Sequence, residues 1–153
     1  MRGLSNDLIS FNIKLLHNLL VPKKELYRMG RAPSPRCCLC TEEKEDDIIH
    51  SLIECDYNDG IGELVMRTAR RFNSNLIKEA LIRLDFGDTT DDQELPLVTY
   101  VSTVLQYLWE KRYKIMKPNI YDIRCSLEAK CRLLRESSFL NAAVILSELK
   151  TYC

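Results

Sequence analysis

A chain of 153 residues, 46% of them hydrophobic and 29% charged, holds enough apolar material for one domain with a true core and leaves little room for a second. Lys plus Arg and Asp plus Glu balance at 22 each, so the whole molecule offers no field that would draw in a polyanion, and any nucleic-acid surface has to be a local patch. Seven cysteines without a secretory signal argue against a disulfide framework and leave metal binding as the better use of a tight thiol cluster.

The first predicted element is a helix from Asn6 to Leu20, where Leu8, Phe11, Leu15 and Leu19 form one apolar stripe and Ile9, Ile13, Leu16 and Leu20 a second beside it. Two adjacent stripes leave a narrow polar face, which predicts a helix wedged into a core and contacted from two sides. Asn6, Asp7, Asn12, Lys14, His17 and Asn18 interrupt this segment, so it lacks the unbroken apolar run of a signal peptide or membrane span. The chain therefore reads as soluble and intracellular, nuclear or cytoplasmic, with no membrane partner. Pro22 suits the first turn of a short helix through Met29, and Gly30 is its expected left-handed stop. This helix and the residues after it carry Lys23, Lys24, Tyr27, Arg28, Arg31 and Arg36, a cationic patch with one aromatic ring, suited to phosphates and a stacked base.

The densest chemistry follows, in PRCCLCTEEKEDDIIHSLIECDYN, where Cys37, Cys40, His50 and Cys55 stand in the order C-x2-C-x9-H-x4-C. The paired cysteines can wrap two thiolates round one ion in a tight turn, and His50 with Cys55 supplies the other half of a tetrahedron from one helical turn. The predicted cofactor is one structural Zn2+, because four protein ligands leave no position for water or substrate. No catalytic role and no small-molecule substrate are expected. Gly30, Pro33 and Pro35 provide the turn before Cys37; TEEKEDDII reads as a polar surface loop; Ile48, Ile49, Leu52 and Ile53 lay the ligand-bearing helix on the core. Cys38 could compete as a C-x-C pair with Cys40, but that chelate is the more strained, and Cys38 reads as a bystander. A redox cluster is the rival use of these thiols. His17 stands alone on its helix and reads as a packed or partly exposed side chain, and Cys125, Cys131 and Cys153 as buried or incidental thiols.

Beyond Cys55, the residues Ile61, Leu64, Val65, Thr68 and Phe72 pattern one helix and Ile77, Ala80, Leu81 and Leu84 the next, parted by Asn73, Ser74 and Asn75. Asp85-Phe86-Gly87 matches the magnesium-binding tripeptide of protein kinases. Without a glycine-rich loop or a His-Arg-Asp segment, it reads instead as a helix stop at Gly87. The acidic stretch GDTTDDQE separates this region from the strongest helix, opened by Pro96 and closed before Pro118, with Leu97, Val101, Val104 and Leu108 as its stripe and Trp109 beside it. Asn119 is a good N-cap for a helix in which Ile120, Ile123, Leu127, Cys131 and Leu134 approach a heptad seam; Ser137 and Ser138 interrupt it before a last apolar helix through Leu149. Two further basic clusters, Arg67, Arg70 and Arg71, then Lys111, Arg112, Lys114 and Lys117, read as solvated helix faces or ends. The predicted fold class is mainly α, a helical domain with a small zinc-stapled, knuckle-like loop near the N-terminal third. Residues 1–58 form a helical hairpin plus zinc module, and residues 59–153 a helical tail packing as one unit with it.

The run FNIKLLHNLLVPKKELYRMGRAPSPRCCLCTEEKEDDIIHSLIECDYN resembles the zinc-binding region that follows the polymerase domain in reverse transcriptases of non-LTR (LINE-like) retrotransposons. The shared order is a Leu-rich helix, a Pro-led basic helix ending in Arg-x-Gly, a Pro-x-Cys-x-x-Cys turn, an acidic loop and His-x4-Cys. LDFG, ELPLVTYVSTVLQYLWEKR and the segment from Tyr121 to Arg135 are similar to the helical tail of some such elements, so the resemblance spans most of the chain. It implies a non-catalytic module that helps hold element RNA or target DNA during target-primed reverse transcription. Polymerase and nuclease activities do not carry over, since the paired-Asp motif and a nuclease context are absent. A start at Met1, where the family has a long upstream protein, implies a fragment, a truncated element copy or a derived host gene. The rival expectation is an interaction module in which zinc only fixes the loop and the apolar C-terminal helices dock on a protein partner.

Overall fold

The computed structural model describes residues 4–133. Helix α1 (Asn6–Leu16) begins at Ser5, whose hydroxyl accepts from the Leu8 amide, and stops four residues before its hydrophobic periodicity does. Asn18 turns left-handed at φ 53°, the Leu19 amide donates to the Lys14 carbonyl at 2.7 Å, and the Asn18 amide to Leu15 at 3.2 Å. These two bonds are a Schellman ending with Asn in the left-handed position. The first stripe buries Leu8, Phe11 and Leu15, but Leu19 lies outside, and the second stripe forms no second core face, since Ile13 and Leu16 are exposed. The expectation of a helix to Leu20 packed from two sides is corrected accordingly; only Leu20, from the following loop, returns to the core.

Helix α2 (Lys23–Arg28) follows Pro22 and ends as expected at left-handed Gly30. The knuckle comes next. A π-helix (His50–Glu54) and a short 3-10 turn (Asp56–Asn58) then lead to α3 (Ile61–Ala69) and α4 (Lys78–Ile82). Gly62 is required where α3 crosses the π-helix, because a Cβ there would lie 2.6 Å from the Leu52 carbonyl oxygen. Left-handed Leu84, not Gly87, stops α4, with Asp85 N–H bonded to the Ala80 carbonyl at 2.9 Å. Gly87, also at positive φ, sits in the turn beyond, and Phe86 is buried, so Asp85-Phe86-Gly87 serves packing.

The long helix α5 runs from Asp91 to Tyr113, so part of the acidic stretch expected to be a separator belongs to the helix. A capping box decides the start: the Thr90 side chain accepts from the Gln93 backbone while the Gln93 side chain accepts from the Thr90 amide. Pro96 falls inside the helix, where it forfeits one backbone bond, rather than opening it. At 1.5 Å per residue α5 is about 34 Å long, and α1, α3, the π-helix and α6 all pack against it. Leu97, Tyr100, Val101, Val104, Leu105 and Leu108 are buried on it, and so are Thr99, Ser102 and Thr103. Two of these hydroxyls are satisfied within the helix: Thr99 donates to Leu95 at 2.8 Å and Thr103 to Thr99 at 2.6 Å. These small side chains let the neighbouring helices approach α5 closely.

Helix α6 (Ile120–Leu133) opens at Asn119, whose side chain accepts from the Tyr121 amide at 2.8 Å, and buries Ile123 and Leu127 against α5. Ile120 packs partly buried against the core, while Leu134 and the last predicted helix lie outside the described residues. One buried cluster joins Phe11 and Leu15 of α1, Leu52 and Ile53 of the π-helix, Leu64 and Val65 of α3, and the α5 stripe. Among the described residues the fold is mainly helical, with one isolated β-bridge, and no helix is long and apolar enough to cross a membrane.

Candidate metal centre

The knuckle is a hairpin closed by backbone bonds. Arg36 bridges Glu45, Cys37 N–H donates to the Lys44 carbonyl at 2.8 Å and Asp46 N–H to Pro35 at 2.9 Å, with left-handed Glu43 in the turn. The hairpin puts Cys37 at its base and Cys40 on its outward limb, while the Leu39 amide points at Cys37 Sγ from 3.4 Å. The opposite half of the site comes from the π-helix. In an α-helix the fifth residue on lies about 140° round the axis from the first, so His50 and Cys55 would face apart. A turn closed by Cys55 N–H to the His50 carbonyl at 2.8 Å brings them to one side. His-x4-Cys therefore needs the wider turn rather than the α-helical one expected from spacing.

The ligand atoms of Cys37, Cys40, His50 and Cys55 all lie within 4.8 Å of one another. Cys37, His50 and Cys55 are buried and Cys40 is partly so. The Sγ atoms of Cys37 and Cys55 stand 3.8 Å apart, and Cys40 Sγ is 3.4 Å from His50 Nε2. A tetrahedral site with metal–sulfur bonds of about 2.3 Å and metal–nitrogen bonds of about 2.0 Å has sulfur–sulfur edges of about 3.8 Å and sulfur–nitrogen edges of about 3.5 Å. The four residues therefore fit one ion, and the sulfurs are too far apart for a disulfide. Cys38, the predicted bystander, is exposed and outside the group.

Burial opposes a charge on Cys37, yet the Leu39 amide, the Arg112 guanidinium, the Cys40 amide and His50 outweigh it and hold the thiol down to about 6. Burial, with the Cys37 charge adding to it, pushes Cys55 up to about 12 against the pull of Arg112 and the Tyr57 amide. One proton thus leaves this sulfur pair readily and the second with difficulty, a penalty that a divalent cation between them removes.

Two side chains that the sequence pattern read as solvated complete the surroundings: Arg112, placed there on a basic helix end, and Asp46, placed in a polar loop. Arg112, near the end of α5, has a side chain only 9% exposed; its Nη2 donates to Cys37 Sγ at 3.0 Å and its Nη1 to Cys55 Sγ at 3.4 Å. It also pairs with Asp46, which sits in the stretch expected to be surface loop yet is 5% exposed. Asp46 accepts in addition from Ser51 Oγ at 2.7 Å and from the Lys23 amide at 3.0 Å. Outside this core, Thr41 Oγ1 donates to Asp56 at 2.6 Å and Lys117 stands 4.7 Å from the Tyr57 ring, tying the knuckle to the turn behind it and to the chain after α5.

The six residues of the predicted nucleic-acid patch divide. Lys24, Arg28 and Arg36 pair with Glu45, Glu25 and Glu43 at 2.6, 2.8 and 2.9 Å, and Tyr27 is exposed. Lys23 and Arg31 instead line a groove of about 310 Å³ between α2, the knuckle and the end of α5, whose apolar walls include Leu26, Leu39, Trp109, Tyr113 and Ile115. Comparison with family models, curated proteins and solved structures gave no significant match.

Proposed function

We propose that the chain is a non-catalytic module in which one zinc ion, bound by Cys37, Cys40, His50 and Cys55, fixes the knuckle against α5, and that the groove this creates holds single-stranded RNA or DNA. The convergence of four ligand atoms within 4.8 Å carries the metal reading. Three sulfurs and an imidazole are the donor set of structural zinc, and the ion would supply a rigid cross-link rather than a reaction. The nucleic-acid reading keeps the resemblance to the post-polymerase region of LINE-like reverse transcriptases. It is supported by the groove, where Tyr113, 84% exposed, and Trp109 offer stacking surface between Lys23 and Arg31. The glutamates on Lys24, Arg28 and Arg36 form exposed pairs of small net worth, which phosphates can replace.

The purified chain is expected to carry one equivalent of zinc by elemental analysis and to bind a labelled oligonucleotide with log affinity falling linearly in log salt. The variant Lys23→Glu with Arg31→Glu should flatten that slope by roughly one for each phosphate no longer neutralised. Tyr113→Ala should weaken binding by about 1–3 kcal/mol with the slope unchanged. Absence of zinc defeats the metal reading, and salt-independent or undetectable binding defeats the nucleic-acid one. The apolar walls of the groove and the acid pairing of half the patch favour a protein segment as the second reading.

A further inference from the structure

We infer that Arg112 is a positioning residue of the metal centre, a cationic clamp delivered from α5 that bridges two of the ligand sulfurs and makes metal retention depend on docking of the knuckle against that helix. The inference rests on the zinc reading above. Arg112 lies 57 and 75 positions from the two cysteines it touches, so the chain brings it there only through tertiary packing. Its guanidinium is the one side-chain group whose planar fork reaches two sulfurs and a carboxylate together; a lysine ammonium is a point charge and does not.

Three thiolates and a neutral imidazole round a divalent cation leave one net negative charge in a buried site. Donors aimed at the sulfurs spread that charge and lower the basicity on which proton attack and ligand loss depend. Arg112 supplies such a donor to Cys37 and another to Cys55, while the Leu39 amide supplies one more to Cys37. Asp46 sets the aim of the guanidinium and is itself held by Ser51 and by the amide that starts α2. The clamp thus links the metal ligands, the π-helix, α2 and α5 in one set of contacts.

The test compares wild type with Arg112→Met and Arg112→Lys, each loaded with zinc and, separately, with cobalt. Arg112→Met should take up one equivalent, keep its helical circular dichroism and release zinc to a chelating dye about 10–100-fold faster than wild type. Its sulfur-to-cobalt charge-transfer band should move to lower energy, since undamped thiolates give up charge more easily, and Arg112→Lys should fall between the two. If Arg112→Met leaves Asp46 unpaired and fails to fold, the same readouts pass to Arg112→Met with Asp46→Asn, which removes both charges of the buried pair. Wild-type release rate with an unmoved band in the folded variant overturns the inference and leaves the zinc reading standing. A wild-type chain that takes up no metal overturns both.

Discussion

Asp46 shows how much one side chain can be asked to hold. It accepts from Arg112, Ser51 and the Lys23 amide while its own backbone groups bond Pro35 and the Lys24 amide, so the knuckle hairpin, the π-helix, α2 and α5 all meet at one buried carboxylate. Removing it takes the carboxylate from an arginine side chain that is 9% exposed and leaves that side chain only the Cys37 and Cys55 sulfurs. Breaking a buried ion pair by removing one partner costs about 3–5 kcal/mol, so Asp46→Ala should lower the free energy of unfolding in urea by up to roughly that amount, the sulfurs offsetting part of the loss. Lys24→Ala, which breaks an exposed ion pair only, should leave it nearly unchanged. Equal effects of the two would mean that the Arg112–Asp46 pair is solvated in solution.

Elements end here in a way that spacing and glycine content do not announce. Four helices close with a Schellman pair of bonds, at Asn18, Gly30, Leu84 and Ile115, and only one of these left-handed residues is glycine. A β-branched side chain at φ 53°, as in Ile115, opposes the conformation it occupies by about 1–2 kcal/mol. Ile115 is 71% exposed, so burial repays little of that strain, but its side chain forms part of the groove wall beside Tyr113. Ile115→Gly should therefore raise stability by about 1 kcal/mol, net of the extra freedom of the unfolded glycine, and should weaken ligand binding in the groove. Thermal melts and the oligonucleotide titration check the two halves; a destabilised variant would show that Ile115 is held by packing.

At the scale of the whole molecule, the core cluster draws on residues from both sides of the knuckle; the knuckle is attached to α5 through Arg112, and the π-helix that completes the cluster is attached to α3 through the close approach at Gly62. Metal removal should consequently be felt well beyond the hairpin. With free zinc near a thousandfold above its dissociation constant, the linkage is worth about 4 kcal/mol, so chelation should lower the melting temperature on the order of 10 °C. Trp109 lines the groove between the knuckle and α5, so its fluorescence and far-ultraviolet circular dichroism should report one coincident transition in the loaded protein. Two separated transitions would mean that the knuckle melts independently of the helices.

The sequence by itself determined the helical class, the order of the helices and the four members of the cysteine–histidine cluster, because apolar periodicity and cysteine–histidine spacing are local properties carried by a few neighbouring residues. Helix ends were legible where glycine marked the stop, as at Gly30, and illegible where Asn18, Leu84 or Ile115 adopted the left-handed turn under tertiary constraint. The π-helical turn that aligns His50 with Cys55, the burial of Asp46 within a run of charged residues and the arrival of Arg112 from α5 were decided only by the tertiary structure. A charged side chain is worth one thing in water and another beside buried thiolates, and which of these surrounds it depends on residues far away along the chain.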